Sequence, residues 1–290
     1  MSPLTAPHLI ALDLDGTLLD GGGQLTARAL EAIRALGEAG HRVVIATGRP
    51  PDIAVRATQP LAGLASHIVG GNGTIISTFP AHPAEPPELV HVSGFEYSVA
   101  AEVVTVLRTH GSGFAFALAT DAGFVHEHGF AELMPAAVHD DPVDDVLSIG
   151  GTTAFKLLVF HNERTLGSLL DEVPLIIDHL DTGFAVRHMG AEAAEIGPAD
   201  HDKGAGLRWL CDHLGVNAAE VIAVGDEQND LTMIEWAGRG VAVANADARV
   251  RTAADEVIGS NLDDGVARFL EQLVAEPRPP TSRQEAVKTP

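Results

Sequence analysis

Two aspartates, Asp13 and Asp15, stand two residues apart after an apolar run, His8-Leu9-Ile10-Ala11-Leu12, and before Gly16-Thr17. The run reads as a buried strand, which places both carboxylates at its end. At a separation of about 4 Å and an effective dielectric of about 20, two unit charges repel by about 4 kcal/mol. A bound cation, a shared proton or both would offset that repulsion. Either remedy is chemically useful, so the pair is a candidate site, and the rest of the chain is read for partners.

Elements able to position such a site follow at once. Thr26 to Ala39 carries Leu30, Ile33 and Leu36 at helical spacing, with Thr26 as N-cap and Gly40 as stop. Val43 to Ala46 is a short strand ending in Thr47-Gly48-Arg49-Pro50, Asp52 to Leu61 a helix, and Ile68-Val69 a strand ending in Gly70-Gly71-Asn72-Gly73. Strand, helix, strand, helix, strand is the pattern of a parallel sheet covered by helices. The Pro-rich stretch Phe79 to Glu88 suits a linker. Beyond it come a helix (95–110), a hairpin (114–119 and 124–126), a strand (154–160), a helix (164–173) and a strand (184–188), a mixture that suggests an inserted α+β unit. From Ala194 the first pattern resumes, with a helix from Lys203, a strand at 221–224, a helix at 231–236, a strand at 241–244 and a last helix at 266–273. The expected division is a core of 1–79 and 190–276, an insertion of 80–189 and a flexible tail of 277–290. The fold class is α/β: a doubly wound parallel sheet with an inserted α+β cap.

Composition narrows the function. Of 290 residues 46% are hydrophobic, ample for packed cores, and the net charge of −22 repels nucleic-acid phosphates and anionic membranes. No run of eighteen apolar residues occurs and no signal peptide is apparent, so the cytoplasm is the expected compartment. Cys211 is the only cysteine, which excludes an intramolecular disulfide and a cysteine metal cluster; its place in Leu207-x-x-Leu210-Cys211-x-x-Leu214 suits a small core residue on a helix.

In an open parallel sheet the functional crevice lies outside the carboxyl ends of the strands. The expected strands deliver Asp13 and Asp15, then Thr47 and Arg49, then Asn72, then Asp226 with Asn229 and Asp230 behind it. Lys203 stands near a helix start, where the macrodipole disfavours a cation by about 0.3–1 kcal/mol, which suggests a duty such as meeting an anion. Carboxylates, a hydroxyl and a lysine on one rim make a consistent set for Mg²⁺ and a phosphoryl group. Asn72 between glycines is equally a turn residue tolerant of positive φ, and Arg49 beside Pro50 equally a surface or ion-pair arginine.

Asp13-Leu14-Asp15-Gly16-Thr17-Leu18-Leu19, the strand ending in Thr47-Gly48-Arg49, Asp202-Lys203-Gly204 and Gly225-Asp226-Glu227-Gln228-Asn229-Asp230 resemble, in order, the four motifs of the haloacid dehalogenase superfamily. The longer stretches 225–246 and 261–266, with Gly71-Asn72-Gly73-Thr74-Ile75, resemble its Cof-type phosphatases, which carry a type II cap. The resemblance implies a phosphatase acting on a small phosphorylated metabolite, a sugar phosphate or a phosphorylated cofactor, through an aspartyl-phosphate. It implies Asp13 as nucleophile and Asp15 as acid and base. Mg²⁺ would be held by Asp13, the Asp15 carbonyl and Asp226, with Asp230 as a further or water-mediated ligand. Thr47, Lys203 and Asn229 would meet the phosphoryl oxygens, with Gly48, Arg49 and Asn72 as further substrate contacts. A phosphomutase or phosphotransferase on the same fold, or a non-catalytic metal-dependent binding protein, are the alternatives. The sequence does not speak to oligomeric state. His126-Glu127-His128 invites a metal reading but shows no third ligand, so an exposed strand or hairpin is expected there. No P-loop occurs.

Overall fold

In the computed structural model, which describes residues 8–120, 123–133, 141–180, 183–188 and 193–275, the strand leading to Asp13 is interior to an eight-stranded sheet. In chain order the elements are β1 (Leu9–Leu12), α1 (Ala27–Glu38), β2 (Arg42–Ala46), α2 (Pro51–Ala57), β3 (Ala65–Gly70), β4 (Ile75–Thr78) and β5 (Leu89–Val92). Then come β6 (Phe95–Glu96), α3 (Tyr97–Thr109), β7 (Phe114–Thr120), β8 (Gly123–His126), α4 (His128–Leu133), β9 (Thr153–His161), α5 (Leu166–Ile177), β10 (Phe184–His188) and β11 (Ala194–Pro198). The chain closes with α6 (Lys203–Leu214), β12 (Val221–Gly225), α7 (Leu231–Trp236), β13 (Arg239–Val243), α8 (Ala248–Ala253), β14 (Glu256–Ile258) and α9 (Gly265–Ala275).

The first sheet runs β14-β13-β12-β1-β2-β3-β4-β5, parallel from β14 to β3 and antiparallel from β3 to β5. Every residue of β1 is buried, as a continuous apolar strand covered on both faces must be. The order reverses between β1 and β12, so the crevice expected at such a switch lies at their carboxyl ends, beyond Leu12 and Gly225. Helix ends are fixed locally: Thr26 Oγ1 accepts from Ala29 N at 3.1 Å, and Asp202 Oδ1 accepts from Ala205 N at 2.7 Å to start α6.

The second sheet, β10-β11-β9-β7-β8 with β6 on β9, is antiparallel. One face packs Leu157, Val159 and Ile196 against Val103 and Leu107 of α3 and Leu169 and Val173 of α5. Side chains alternate across a strand, so Lys156 and Glu195 belong to the opposite face.

Several strands fall where the sequence reading did not put them. Leu89–Val92, inside the range 80–189 assigned to the insertion, is hydrogen-bonded into the first sheet. The Pro-rich stretch is the connection that returns β5 onto β4, with Thr78 N donating to Glu88 O at 2.8 Å. Ala194–Pro198, taken as the resumption of the core, pairs with β9 and β10 in the second sheet. The short β4, α8 and β14 had no clear periodicity to announce them. The proposed ends at Met189-Gly190 and the tail after Glu276 lie outside the described residues. The chain passes between sheets at Ser93-Gly94 and again at 199–202, and both crossings touch one turn. Ser93 N donates to Thr74 O at 2.7 Å, and Gly73, at φ +94°, packs so tightly that a Cβ there would lie 2.0 Å from Asp202 O.

Candidate active site

Asp13 follows β1 and Asp226 follows β12, so two adjacent parallel strands deliver a carboxylate each to the same crevice. The turn after Asp13 folds over Asp226 because Gly16 adopts φ +79°; a Cβ at Gly16 would meet Asp226 Oδ2 at 2.2 Å. Thr17 then donates its hydroxyl to Asp226 Oδ1 at 2.8 Å. Asp230, from the turn after β12, receives the backbone N–H of Asp226 (2.9 Å) and of Glu227 (3.0 Å) on Oδ2. Lys203, the first residue of α6, reaches Asp13 Oδ1 and Asp230 Oδ1 at 2.6 Å each. All five of these side chains, Asp13, Thr17, Lys203, Asp226 and Asp230, are buried.

Burial dominates the electrostatics. It holds the Asp13 carboxyl well above its ordinary range, Asp230 and Asp226 add to the rise, and Lys203 opposes it. Asp226 is pushed up to about 6, again chiefly by burial, with Asp230 and Glu227 adding to the rise and the Thr17 hydroxyl working against it. Burial would lower Lys203, but Asp13 and Asp230 outweigh it and keep the ammonium above its usual value. Oxygens of Asp13, Asp226 and Asp230 lie within 4.8 Å of one another. Binding a cation through these acids would require them deprotonated, and three carboxylates against one ammonium would then leave two negative charges for it to neutralise. An all-oxygen donor set of that residual charge fits a hard divalent cation. Removing the lysine leaves buried acids uncompensated, so Lys203→Met should cost the metal-free protein about 3–5 kcal/mol in urea unfolding at neutral pH. An unchanged midpoint would show that the ion pairs do not carry that weight.

Asp15 departs from expectation. Its side chain is 56% exposed and pairs with Arg49, whose Nε donates to Oδ2 at 2.8 Å and whose terminal nitrogen donates to Oδ1. The crowding inferred between Asp13 and Asp15 is therefore absent: the strand ends at Leu12, Asp15 lies in the turn that Gly16 bends at φ +79°, and the buried acids crowding Asp13 are Asp226 and Asp230. Arg49 takes the ion-pair reading. Thr47 is buried, its Oγ1 accepting from Arg49 N at 3.1 Å, beside Gly48. Asn72, at φ +55°, is buried against Gly48. Asn229, expected to donate to substrate, gives an amide N–H to Asn72 Oδ1 at 3.0 Å, while its own Oδ1 is buried without a protein partner.

Lys156 and Glu195, which the sequence reading passed over, also reach this rim: Lys156 Nζ donates to Gly48 O at 3.0 Å, and Glu195 Oε2 accepts from Asn72 Nδ2 at 2.9 Å. A charge in the middle of an apolar strand, as in Phe155-Lys156-Leu157-Leu158, was the available signal. His126 and His128 form no joint site: the first is buried, whereas the exposed second lies 3.4 Å from Asp144. Cys211 is buried on α6, and burial pushes its thiol up to about 12.

No helix among the described residues is long and apolar enough to cross a membrane. Residues 10–270 match the haloacid dehalogenase-like hydrolase family. Over 276 residues, 92% of this chain and 98% of the relative, the sequence is 31% identical to the 5-amino-6-(5-phospho-D-ribitylamino)uracil phosphatase YitU of Bacillus subtilis. It is 27% identical to the pyridoxal phosphate phosphatase YbhA of Escherichia coli, covering 91% of this chain and 97% of that one. A crystal structure of a haloacid dehalogenase-like hydrolase from Bacteroides thetaiotaomicron superposes with a TM-score of 0.80 at 28% identity, covering 92% of this chain and all of that one. With the parallel core, the inserted antiparallel sheet and the carboxylate cluster at the switch point, the match over residues 10–270 places this enzyme among the haloacid dehalogenase-like hydrolases.

Proposed function

We propose that this hydrolase is a Mg²⁺-dependent phosphatase of small phosphate monoesters, working through an aspartyl-phosphate. The observation that carries the reading is the buried Asp13, Asp226 and Asp230 cluster held by Lys203. Asp13 is the nucleophile, its carboxylate oriented through the Lys203 ammonium on Oδ1. Lys203 also offers positive charge to the transferring phosphoryl oxygens, and the Thr47 hydroxyl, on the adjacent strand end, donates to them. Asp226, Asp13 and the Asp15 carbonyl would hold Mg²⁺, which supplies charge neutralisation at the phosphoryl oxygens when bound. Both oxygens of Asp230 are already engaged by Lys203 and two backbone N–H groups, which suits anchoring the lysine better than direct ligation. Asp15 is the acid that protonates the leaving oxygen and then takes a proton from water, a task that requires its carboxyl to turn away from Arg49.

Domain limits follow the sheets in this reading, with a cap from Phe95 to Pro198 inserted between β5 and α6. The face of the second sheet that carries Lys156 and Glu195 covers the site, and substrate choice belongs to the cap. The named relatives act on a phosphorylated ribitylaminouracil and on pyridoxal phosphate, which supports a phosphorylated sugar or cofactor as substrate class here. The test is colorimetric phosphate release from sugar phosphates, pyridoxal phosphate, flavin mononucleotide and the ribitylaminouracil phosphate, each with Mg²⁺ and with EDTA. Release is expected with Mg²⁺ and its loss with EDTA. Phosphate passed between sugars with none released would instead assign transfer, and neither outcome would leave a binding protein.

A further inference from the structure

The two turns that line the phosphoryl side of the site, Thr47-Gly48-Arg49 and Gly71-Asn72-Gly73, are stitched together by their backbones. Asn72 N donates to Thr47 O at 3.1 Å, and Gly71 N donates to Arg49 O at 3.0 Å. The fit is close, since a Cβ on Gly48 would lie 3.1 Å from Asn72 Oδ1. Asn72 itself sits in the left-handed region at φ +55°, ψ +40°, which asparagine tolerates better than most residues, so the turn is formed locally and its side chain is free to be held from elsewhere.

The hold on that side chain comes from the other sheet. Lys156 on β9 and Glu195 on β11 form an ion pair at 2.8 Å, with side chains 6% and 5% exposed. Each partner also touches one of the two turns. Lys156 Nζ donates to Gly48 O at 3.0 Å, and Glu195 Oε2, the oxygen that meets Lys156, also accepts from Asn72 Nδ2 at 2.9 Å. The connection continues inward, because Asn72 Oδ1 accepts from Asn229, whose neighbour Asp230 holds Lys203. A buried ion pair is a poor source of stability, since desolvating two charges offsets most of their attraction. Apolar residues would join the sheets as well, but they would leave the Gly48 carbonyl and the Asn72 amide without these partners.

We propose that Lys156 and Glu195 are positioning residues, a cap-borne ion pair that fixes the Gly48 and Asn72 turns in register with the phosphoryl site. They touch no reacting atom; they act through Gly48, Asn72 and Asn229. The kinetic consequence rests on the phosphatase reading above, whereas the ordering of the two turns does not. Docking of the cap and alignment of the phosphoryl-binding rim are then one event.

The test replaces the pair with apolar chains, K156M/E195L, a kind of exchange that is often neutral for stability. With p-nitrophenyl phosphate and Mg²⁺, kcat is expected to fall about tenfold to a hundredfold while KM changes less than about threefold, as loss of alignment predicts. Backbone amides at 48–49 and 72–74 should exchange hydrogen faster than in the wild type, and those of β1 and β12 should not. Adding N72G, which keeps the positive φ without strain, to K156M/E195L should cost less than about threefold more, since Glu195 acts through the Asn72 side chain. A kcat within threefold of the wild type, losses that multiply with N72G, or unchanged exchange at both turns overturns the proposal. If K156M/E195L does not fold, K156M/E195Q carries the test. Its introduced amide oxygen still accepts from Asn72 while Gly48 loses its donor, so exchange should quicken at 48–49 and stay slow at 72–74; wild-type exchange at both turns overturns the proposal. A wild-type protein that releases no phosphate from any monoester defeats the phosphatase reading alone, and the exchange data still decide whether the pair orders the turns.

Discussion

Asp13→Asn is expected to lower phosphate release by about ten-thousandfold or more while leaving the fold intact, which initial-rate assays and thermal unfolding of the same preparation would establish. The amide has nearly the shape of the carboxylate, and its oxygen can still accept from the Lys203 ammonium that now meets Asp13 Oδ1. It cannot form the acyl-phosphate bond. Burial and the nearby Asp230 and Asp226 already disfavour the charge at position 13, so a neutral side chain relieves more than it removes in the metal-free protein. Its unfolding temperature should hold or rise. Retained turnover would exclude Asp13 as nucleophile, whereas loss of turnover with loss of folding would leave the role of the side chain structural.

The second large effect joins pH to the metal. Asp13 and Asp226 bind protons more tightly in the folded chain than in the unfolded one, whose ordinary carboxyl value is 3.8. Each therefore contributes stability that is complete below that value and is lost as the pH rises, for Asp226 through about 6. The metal-free protein should weaken from this source between mildly acidic and neutral pH. A divalent cation needs the deprotonated carboxylates, so its stabilisation should grow over the same interval. At a hundredfold excess over its dissociation constant a ligand contributes about 2.7 kcal/mol, which for a chain of this size is a rise of about 5–10 °C in Tm. Mg²⁺ should thus raise Tm clearly at about pH 7.5 and hardly at about pH 5, and EDTA should reverse the gain. Equal shifts at both pH values would place the cation away from Asp13 and Asp226.

Much of this was legible in the chain because strand ends in a parallel sheet leave strong traces. Leu9 to Leu12, Val43 to Ala46 and Val221 to Val224 are continuous apolar runs, followed directly or, in the last case, after Gly225 by polar residues that the fold delivers to one rim. Lys203 stood out as a cation at a helix start, and the structure turns it inward between Asp13 and Asp230. Asp15 was harder to read, since its proximity to Asp13 in sequence says nothing of direction, and its partner Arg49 comes from another strand end. Leu89–Val92 and Ala194–Pro198 were misplaced because a short strand has no period of its own beyond alternation, and pairing decides which sheet it joins. Lys156 and Glu195 went unseen for a similar reason. Each is a single charge in an apolar strand, and only the meeting of two sheets brings them to Gly48 and Asn72.

The two crossings of the chain beside Gly73 and Thr74 have a consequence for how freely the family fold can be varied. With the cap limits proposed above, the strand entering the cap and the segment leaving it stand next to one another, and the core would experience everything between Phe95 and Pro198 as one closed loop. The entropy of closing a loop grows only logarithmically, by about 0.6 kcal/mol for each doubling of its length. An insertion between such neighbouring ends can be lengthened, trimmed or exchanged with little effect on the sheet that carries Asp13 and Asp226. Two local constraints remain: whatever replaces the cap must re-enter at Asp202 in the geometry that starts the Lys203 helix, and it must still supply partners for the Gly48 carbonyl and the Asn72 amide.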